Sequence, residues 1–177
     1  LKLNDLLNTL RNLSWGAADI LKAYARGEKP PYGYPSHLTV EDKGDGPVSA
    51  ADIAVNSWLI KGLEALTFPS SWALISEETV KDKFVKNVSL ENEWLWILDP
   101  LDGTKDFINQ TGEYAMHLAL TYETKVIIGV VLIPCRDQLW ISFQGKGTWC
   151  EDKNKLNKNY FERNSKPLDE LTILTSK

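Results

Sequence analysis

The chain has 177 residues, of which 43% are hydrophobic and 25% charged, with a formal net charge of −4. This is long enough for one domain with its own core or for a piece of a larger one, and the composition is that of an ordinary globular protein. The acidic balance, without a dense Lys/Arg face, argues against binding a nucleic-acid polymer, and no apolar run approaches the ~20 residues of a membrane span.

Residues 3–25 place Leu3, Leu6, Leu7, Leu10, Leu13, Ala17, Ile20, Leu21 and Tyr24 near helical period, which predicts an amphipathic helix ended by Gly27 and the Pro30-Pro31 pair. The charges spread through this stretch do not fit a signal peptide, so a cytoplasmic, reducing setting is the expectation. A short extended piece follows at 38–40, and the turn-rich DKGDGP (42–47) predicts a hairpin or loop. Ser49 is a fair N-cap for a second helix running to about Leu66, with Ile53, Leu59, Leu63 and Leu66 as its inner face.

WALIS (72–76) and WLWIL (94–98) read as buried strands, and AMHLALTYE, VIIGVVLIP, QLWISF and GKGTWC continue as a meander. The polar stretch 152–167 reads as a solvated excursion, and LTILTS (171–176) as a last strand. Two helices followed by a meander of strands predict an α+β fold. Cys135 and Cys150 lie in apolar, strand-like runs and read as reduced core residues, not a disulfide or a metal pair.

Acidic residues interrupt this apolar pattern at three places. WLWIL runs straight into Asp99-Pro100-Leu101-Asp102-Gly103-Thr104, WALIS empties into Glu77 and Glu78, and PVSAAD sets Asp52 near the start of the second helix. Pro100 has no N–H to give a ladder, so the strand is expected to end at Asp99, with a turn leading into a short helix around 105–108. Two carboxylates and the Leu101 carbonyl could then converge, a donor set suited to a hard divalent cation. The amides of Gly103 and Thr104 would lie at a helix N-terminus, where a phosphate is favoured. Any one of these acids, taken alone, is more often a cap, a turn or a solvated charge. Three acidic sites at the ends of apolar elements are better explained by one shared metal centre.

PVSAAD, LISEE and WILDPLDGTKDF resemble the inositol-monophosphatase-like family of Mg²⁺-dependent, Li⁺-sensitive phosphatases, in register over roughly residues 45–150. SEE, DPLDGTKDF, GEYAMHLAL and GVVLIP look most like the family's 3′(2′),5′-bisphosphate nucleotidase branch, which acts on 3′-phosphoadenosine 5′-phosphate in sulfur metabolism.

The resemblance implies that Glu77 and Asp99 with the Leu101 carbonyl hold one Mg²⁺, and that Asp99 and Asp102 share in a second. It implies that Thr104, hydrogen-bonded to Asp52, orients and helps deprotonate the attacking water. Glu77, Leu101, Asp102, Gly103 and Thr104 would border the substrate phosphate. The implied partner is a small phosphate ester, with a homodimer left open and no membrane or nucleic acid involved. Residues 1–177 are then the N-terminal metal-binding domain of the fold, with two helices on an antiparallel sheet. The family's second αβ domain, whose W-D-x-A-A-like segment completes the second metal site, has no counterpart after Phe161. Two alternatives stay open: an inositol or sugar phosphate phosphatase of a sister branch, and a catalytically silent module that binds metal and phosphate.

Other signals favour plain structural roles. His117 lies in a strand-like run and reads as a sheet residue, and Gly145-Lys146-Gly147 lacks the Walker spacing and reads as a hairpin turn. The seven tryptophans read as core. Lys105 is either a substrate contact or a solvated lysine.

Overall fold

The computed structural model describes residues 3–42, 47–66, 72–81, 93–153 and 159–161. Helix α1 spans Leu3–Ala25, with Leu10, Ile20 and Leu21 fully buried. It ends as its composition requires. Gly27 takes a left-handed φ of +65°, the Glu28 N–H donates to Ala23 O at 2.8 Å, and the Gly27 N–H donates to Tyr24 O at 3.1 Å. A short ribbon of β1 (Val40–Asp42) and β2 (Pro47–Ser49) leads into α2 (Ala50–Glu64). The flanking strands therefore pair as the hairpin reading expects, while the 43–46 link lies outside the described residues.

The main sheet has seven strands in chain order: β3 (Trp72–Ser76), β4 (Trp94–Asp102), β5 (Ala115–Tyr122), β6 (Lys125–Ile133), β7 (Gln138–Phe143), β8 (Gly147–Asp152) and β9 (Asn159–Phe161). Two short helices join it, α3 (Glu77–Lys81) and α4 (Thr104–Ile108). Helices α1 and α2 cover one face, where Trp96, Leu98, Met116, Leu118, Leu120, Ile128, Val130 and Leu132 alternate inward along neighbouring strands and merge with Leu10, Ile20, Leu21, Leu59 and Leu63 in one core. The opposite face carries apolar residues that remain partly open, including Ile97 at 44% exposure. Among the described residues, no helix is long and apolar enough to cross a membrane.

The α+β architecture agrees with the sequence reading, and the details differ in five places. The first strand pair is parallel, with Ser76 opposite Leu98, although the other pairs are antiparallel. Strand β4 does not stop at Asp99. It runs to Asp102, because Pro100 sits in a bulge where the ladder already lacks a bond. Ile53 is 47% exposed, and the inner face of α2 is formed instead by Ala51, Ala54, Val55, Leu59 and Leu63. Cys150 is buried as expected, but Cys135 is exposed on a 3₁₀ turn, Pro134–Arg136, that follows β6. Of the stretch read as a solvated excursion, residues 159–161 form β9; its remaining residues beyond 153, like the LTILTS strand, lie outside the described residues.

Helices α1 and α2 approach closely because glycines face large side chains. A Cβ at Gly16 would fall 2.5 Å from the Trp58 ring, and that ring is held by Trp58 Nε1–H donating to Leu13 O at 2.9 Å and by Tyr32 stacked at 4.1 Å. Gly16→Ala gains about 1 kcal/mol of helix propensity. It also overpacks the contact at a cost of about 1–3 kcal/mol and disturbs a hydrogen bond worth ~1 kcal/mol. A net loss of about 1–3 kcal/mol is expected, read as a lower midpoint in denaturant unfolding; unchanged or raised stability would show that the two helices can separate freely.

A candidate metal centre

The parallel pairing of β3 and β4 brings two acidic chain ends to the same end of the sheet. Ser76 lies beside Leu98, so the next residues, Glu77 and Asp99, emerge side by side. Their carboxyl groups are within hydrogen-bonding reach of each other. Asp102 joins them through the bulge. Residues three apart on a regular strand point to opposite faces. Between Asp99 and Asp102 three steps on β4 match two on β5, from His117 to Ala115. Consecutive burial of Pro100 and Leu101 marks the change of phase, and both aspartates turn outward.

The chain then reverses at Gly103, whose φ of +87° suits glycine. A Cβ there would meet Glu113 O at 2.8 Å and Tyr114 Cα at 3.3 Å, so the loop can lie against the β5 approach only without a side chain. Helix α4 starts immediately afterwards and anchors itself through buried Phe107, edge-on to Tyr114 at 4.9 Å.

Asp52 reaches this loop from α2. It is 1% exposed, and its Oδ2 accepts from the Ser49 N–H at 2.8 Å and the Ser49 hydroxyl at 2.5 Å, forming a capping box at the helix start. Its other oxygen, Oδ1, lies 3.0 Å from Thr104 Oγ1. The same hydroxyl lies 3.1 Å from the Leu101 carbonyl oxygen, so its one proton has two acceptors, of which the carboxylate is the stronger. Burial pushes the Asp52 carboxyl above the usual range, while the bonds from Ser49 and Thr104 act against that rise.

Asp99 is pushed up to about 7, by burial first, then by the neighbouring charge and hydrogen bond of Glu77 and by the charge of Asp102; the Leu101 N–H, donating to Asp99 Oδ1 at 3.1 Å, partly opposes this. Crowding of carboxylates is relieved by a proton or a cation between them. Hard oxygen donors of this kind fit Mg²⁺ or Ca²⁺. The enclosure is incomplete, however. Among the described residues no three His, Cys, Asp or Glu side chains gather closely enough to hold an ion. Asp102 is the outlying member: its side chain is 61% exposed and its Oδ2 lies 3.8 Å from His117 Nδ1. The candidate donor set is thus the Glu77–Asp99 pair, with Asp102 at its rim and the Leu101 carbonyl, which the Thr104 hydroxyl approaches, two residues further along β4.

The predicted site residues Asp52, Asp99, Leu101, Gly103 and Thr104 are linked by this network, with Glu77 against Asp99 and Asp102 more open. Lys105 is exposed on α4, and Glu78, the second acid of its pair, is buried at 2% exposure. Two participants escaped the sequence reading. Ser49 was legible as a cap but not as the group that holds Asp52, although the S-x-x-D spacing of a capping box was there to be read. His117 faces Asp99 across the β4–β5 ladder, which only the strand register reveals. A shallow recess of about 530 Å³ on the open sheet face continues from these residues, lined by Ile75, Glu77, Ile97, Asp99, His117 and Val131.

The profile of the inositol monophosphatase family matches residues 2–176. Over 147 residues the chain is 33% identical to the 3′(2′),5′-bisphosphate nucleotidase CysQ of Salmonella typhimurium, covering 83% of this chain and 55% of that protein. It is also 33% identical over 150 residues to the protein of the same name from Escherichia coli K12, with the same shares covered. The chain thus spans about half the length of the curated relatives it matches. Among solved structures, it resembles an inositol monophosphatase/NADP phosphatase complexed with NADP and Ca²⁺ (21% identity, TM-score 0.65, 85% of this chain and 52% of that one). It resembles to the same degree a staphylococcal inositol monophosphatase in a LiCl-soaked inhibitory complex (23%, 0.65, with 85% and 52% covered).

The raised Asp99 carboxyl has a consequence for stability. Its folded value of about 7 exceeds its ordinary value of 3.8, so between these pH values the native state holds a proton that the unfolded chain releases. Stability from this group is therefore full below about pH 3.8 and declines as pH rises toward 7. With a chelator present, Asp99→Asn is expected to flatten this decline in the thermal midpoint, and millimolar Mg²⁺ to offset it in the wild type alone. Identical pH profiles for the two proteins would contradict the crowding of Asp99.

Proposed function

Because the chain belongs to the inositol monophosphatase family, we propose that it is the metal-holding part of a phosphoric monoester hydrolase. Glu77, Asp99 and the Leu101 carbonyl, with Asp102 at the rim, are the residues that would hold the divalent cations, and Asp99, between Glu77 and Asp102, would be the most shared of them. Bound there, divalent cations would polarise the phosphoryl group, acidify a water and neutralise the leaving oxygen.

The chain's own residues supply the proton handling. Thr104, giving its proton to Asp52, keeps its lone pairs available to accept one from a water. Asp52, raised by burial, is a better proton acceptor than an ordinary aspartate. The observation that carries this reading is the 3.0 Å Thr104–Asp52 bond, which joins positions 52 residues apart. A cap alone would use Asp52 only toward Ser49. A silent metal-binding module would have no need for the connection to Thr104.

Glu77, Leu101, Asp102, Gly103 and Thr104 are proposed to border the substrate phosphate. The proposed substrate is 3′-phosphoadenosine 5′-phosphate, supported by the 33% identity to bisphosphate nucleotidases of two bacteria. Lithium inhibition is expected by analogy with the LiCl complex of the staphylococcal structure. A homodimer is compatible with this reading and is not required by it.

In the full-length protein, Asp99→Asn is expected to abolish Mg²⁺-dependent phosphate release with the fold retained, and near-normal turnover would remove the two-metal assignment. Thr104→Ala and Asp52→Asn are each expected to lower kcat by about 10²–10⁴-fold, the usual worth of general-base assistance, with Mg²⁺ affinity kept. Loss of cation binding in either variant would show that these residues serve the ions and not the water. On substrate, kcat/KM for 3′-phosphoadenosine 5′-phosphate is expected to exceed that for inositol 1-phosphate, and the reverse order would move the protein to the sister branch.

A further inference from the structure

Asp52 and Asn56 lie four residues apart on α2, hence one turn apart on the same face. Asp52 reaches the loop after β4. Asn56 reaches the other acidic junction: Ser76 Oγ–H donates to Asn56 Oδ1 at 2.6 Å. Ser76 is fully buried, the last residue of β3 and the one directly before Glu77. Its backbone is tied as well, the Ser76 N–H donating to Thr79 Oγ1 at 3.2 Å and the Thr79 hydroxyl donating to Ser76 O at 2.9 Å.

Strand β3 stands at the margin of the sheet, with β4 as its strand neighbour among the described residues. A strand paired on one side has no second ladder to fix the direction in which its last residue leaves the sheet. The bond from Asn56 supplies a lateral tie from a rigid helix at that exit. A serine in the middle of a buried junction costs stability unless its hydroxyl is satisfied, so the pair is coherent only as a pair.

We infer that Asn56, through Ser76, is a positioning residue that sets the Glu77 carboxylate against Asp99, so that one face of α2 aligns both acidic junctions of the site. The inference rests on the reading of Glu77 as a cation ligand. Residues that orient a ligand from behind typically change metal affinity or activity by about 10–100-fold when removed.

The test measures Mn²⁺ affinity of the full-length protein by the electron paramagnetic resonance signal of free Mn²⁺. Asn56→Ala and Ser76→Ala remove the same bond from opposite ends, so either serves if the other fails to fold. Each is expected to weaken binding about tenfold, and the double variant to be no worse than either single one, since both lose one interaction. Asn56→Asp, which keeps an acceptor oxygen, is expected to restore affinity to within about twofold of the wild type, well short of the ~10–100-fold loss. A purely structural role would lower the melting temperature and leave Mn²⁺ affinity unmoved, or give additive losses; either result overturns the inference. Glu77→Gln separates the two levels. If it weakens Mn²⁺ binding while Asn56→Ala does not, the positioning role alone falls. If Glu77→Gln leaves affinity unchanged, Glu77 is not a ligand and the functional reading falls with it.

Discussion

Two carboxylates within hydrogen-bonding reach repel each other unless a proton or a cation lies between them, and the architecture of this chain forces that encounter. Glu77 and Asp99 meet because β3 and β4 run parallel and end together. Asp102 is turned to the same side by a single extra residue in β4. Fold stability alone gains nothing from such a cluster, since Asp99 is pushed up to about 7. On the proposed reading, the cluster stores electrostatic strain that a bound cation would release.

The rest of the structure holds that arrangement in place. Helices α1 and α2 are locked together where Gly16 faces the Trp58 ring and Gly62 faces Leu13, and they cover one face of the sheet. Polar ties fix α1 to the strands as well. Arg11 pairs with Glu151, whose Oε1 also accepts from Trp15 Nε1–H at 3.2 Å, and Lys22 pairs with Asp137. With α2 fixed in this way, Asp52 can act as a rigid contact for Thr104, and the Gly103 turn brings the loop up to it. The opposite sheet face keeps Ile97 about half exposed, beside Glu77 and Asp99 in the shallow recess.

Much of this was legible in the sequence because local chemistry determined it. The amphipathic period of residues 3–25 gave α1, Ser49 gave the start of α2, and D-P-L-D-G-T marked both the acids and the turn. What escaped depends on partners distant in sequence. Nothing within WALIS or WLWIL states that the two strands run in the same direction, yet that direction decides whether Glu77 meets Asp99. Pro100 suggested a strand end, and only the β5 register shows that a bulge accommodates it. Ile53 was placed inward on hydrophobicity alone, whereas buried Ala51 and Ala54 allow close packing of the helix on the other side. Asp102 was expected to converge with its neighbours, but its exposure leaves it leaning toward His117.

The cation proposed to be shared at the joined ends of β3 and β4 is most directly tested by anomalous scattering from crystals of the full-length protein soaked in Mn²⁺. A peak is expected within bonding distance of both the Asp99 and Glu77 carboxylates, with Asp102 drawn inward from its position beside His117. An ordered Mn²⁺ bound elsewhere, with Asp99 and Glu77 making no contact to it, would contradict the central role assigned to the parallel pair.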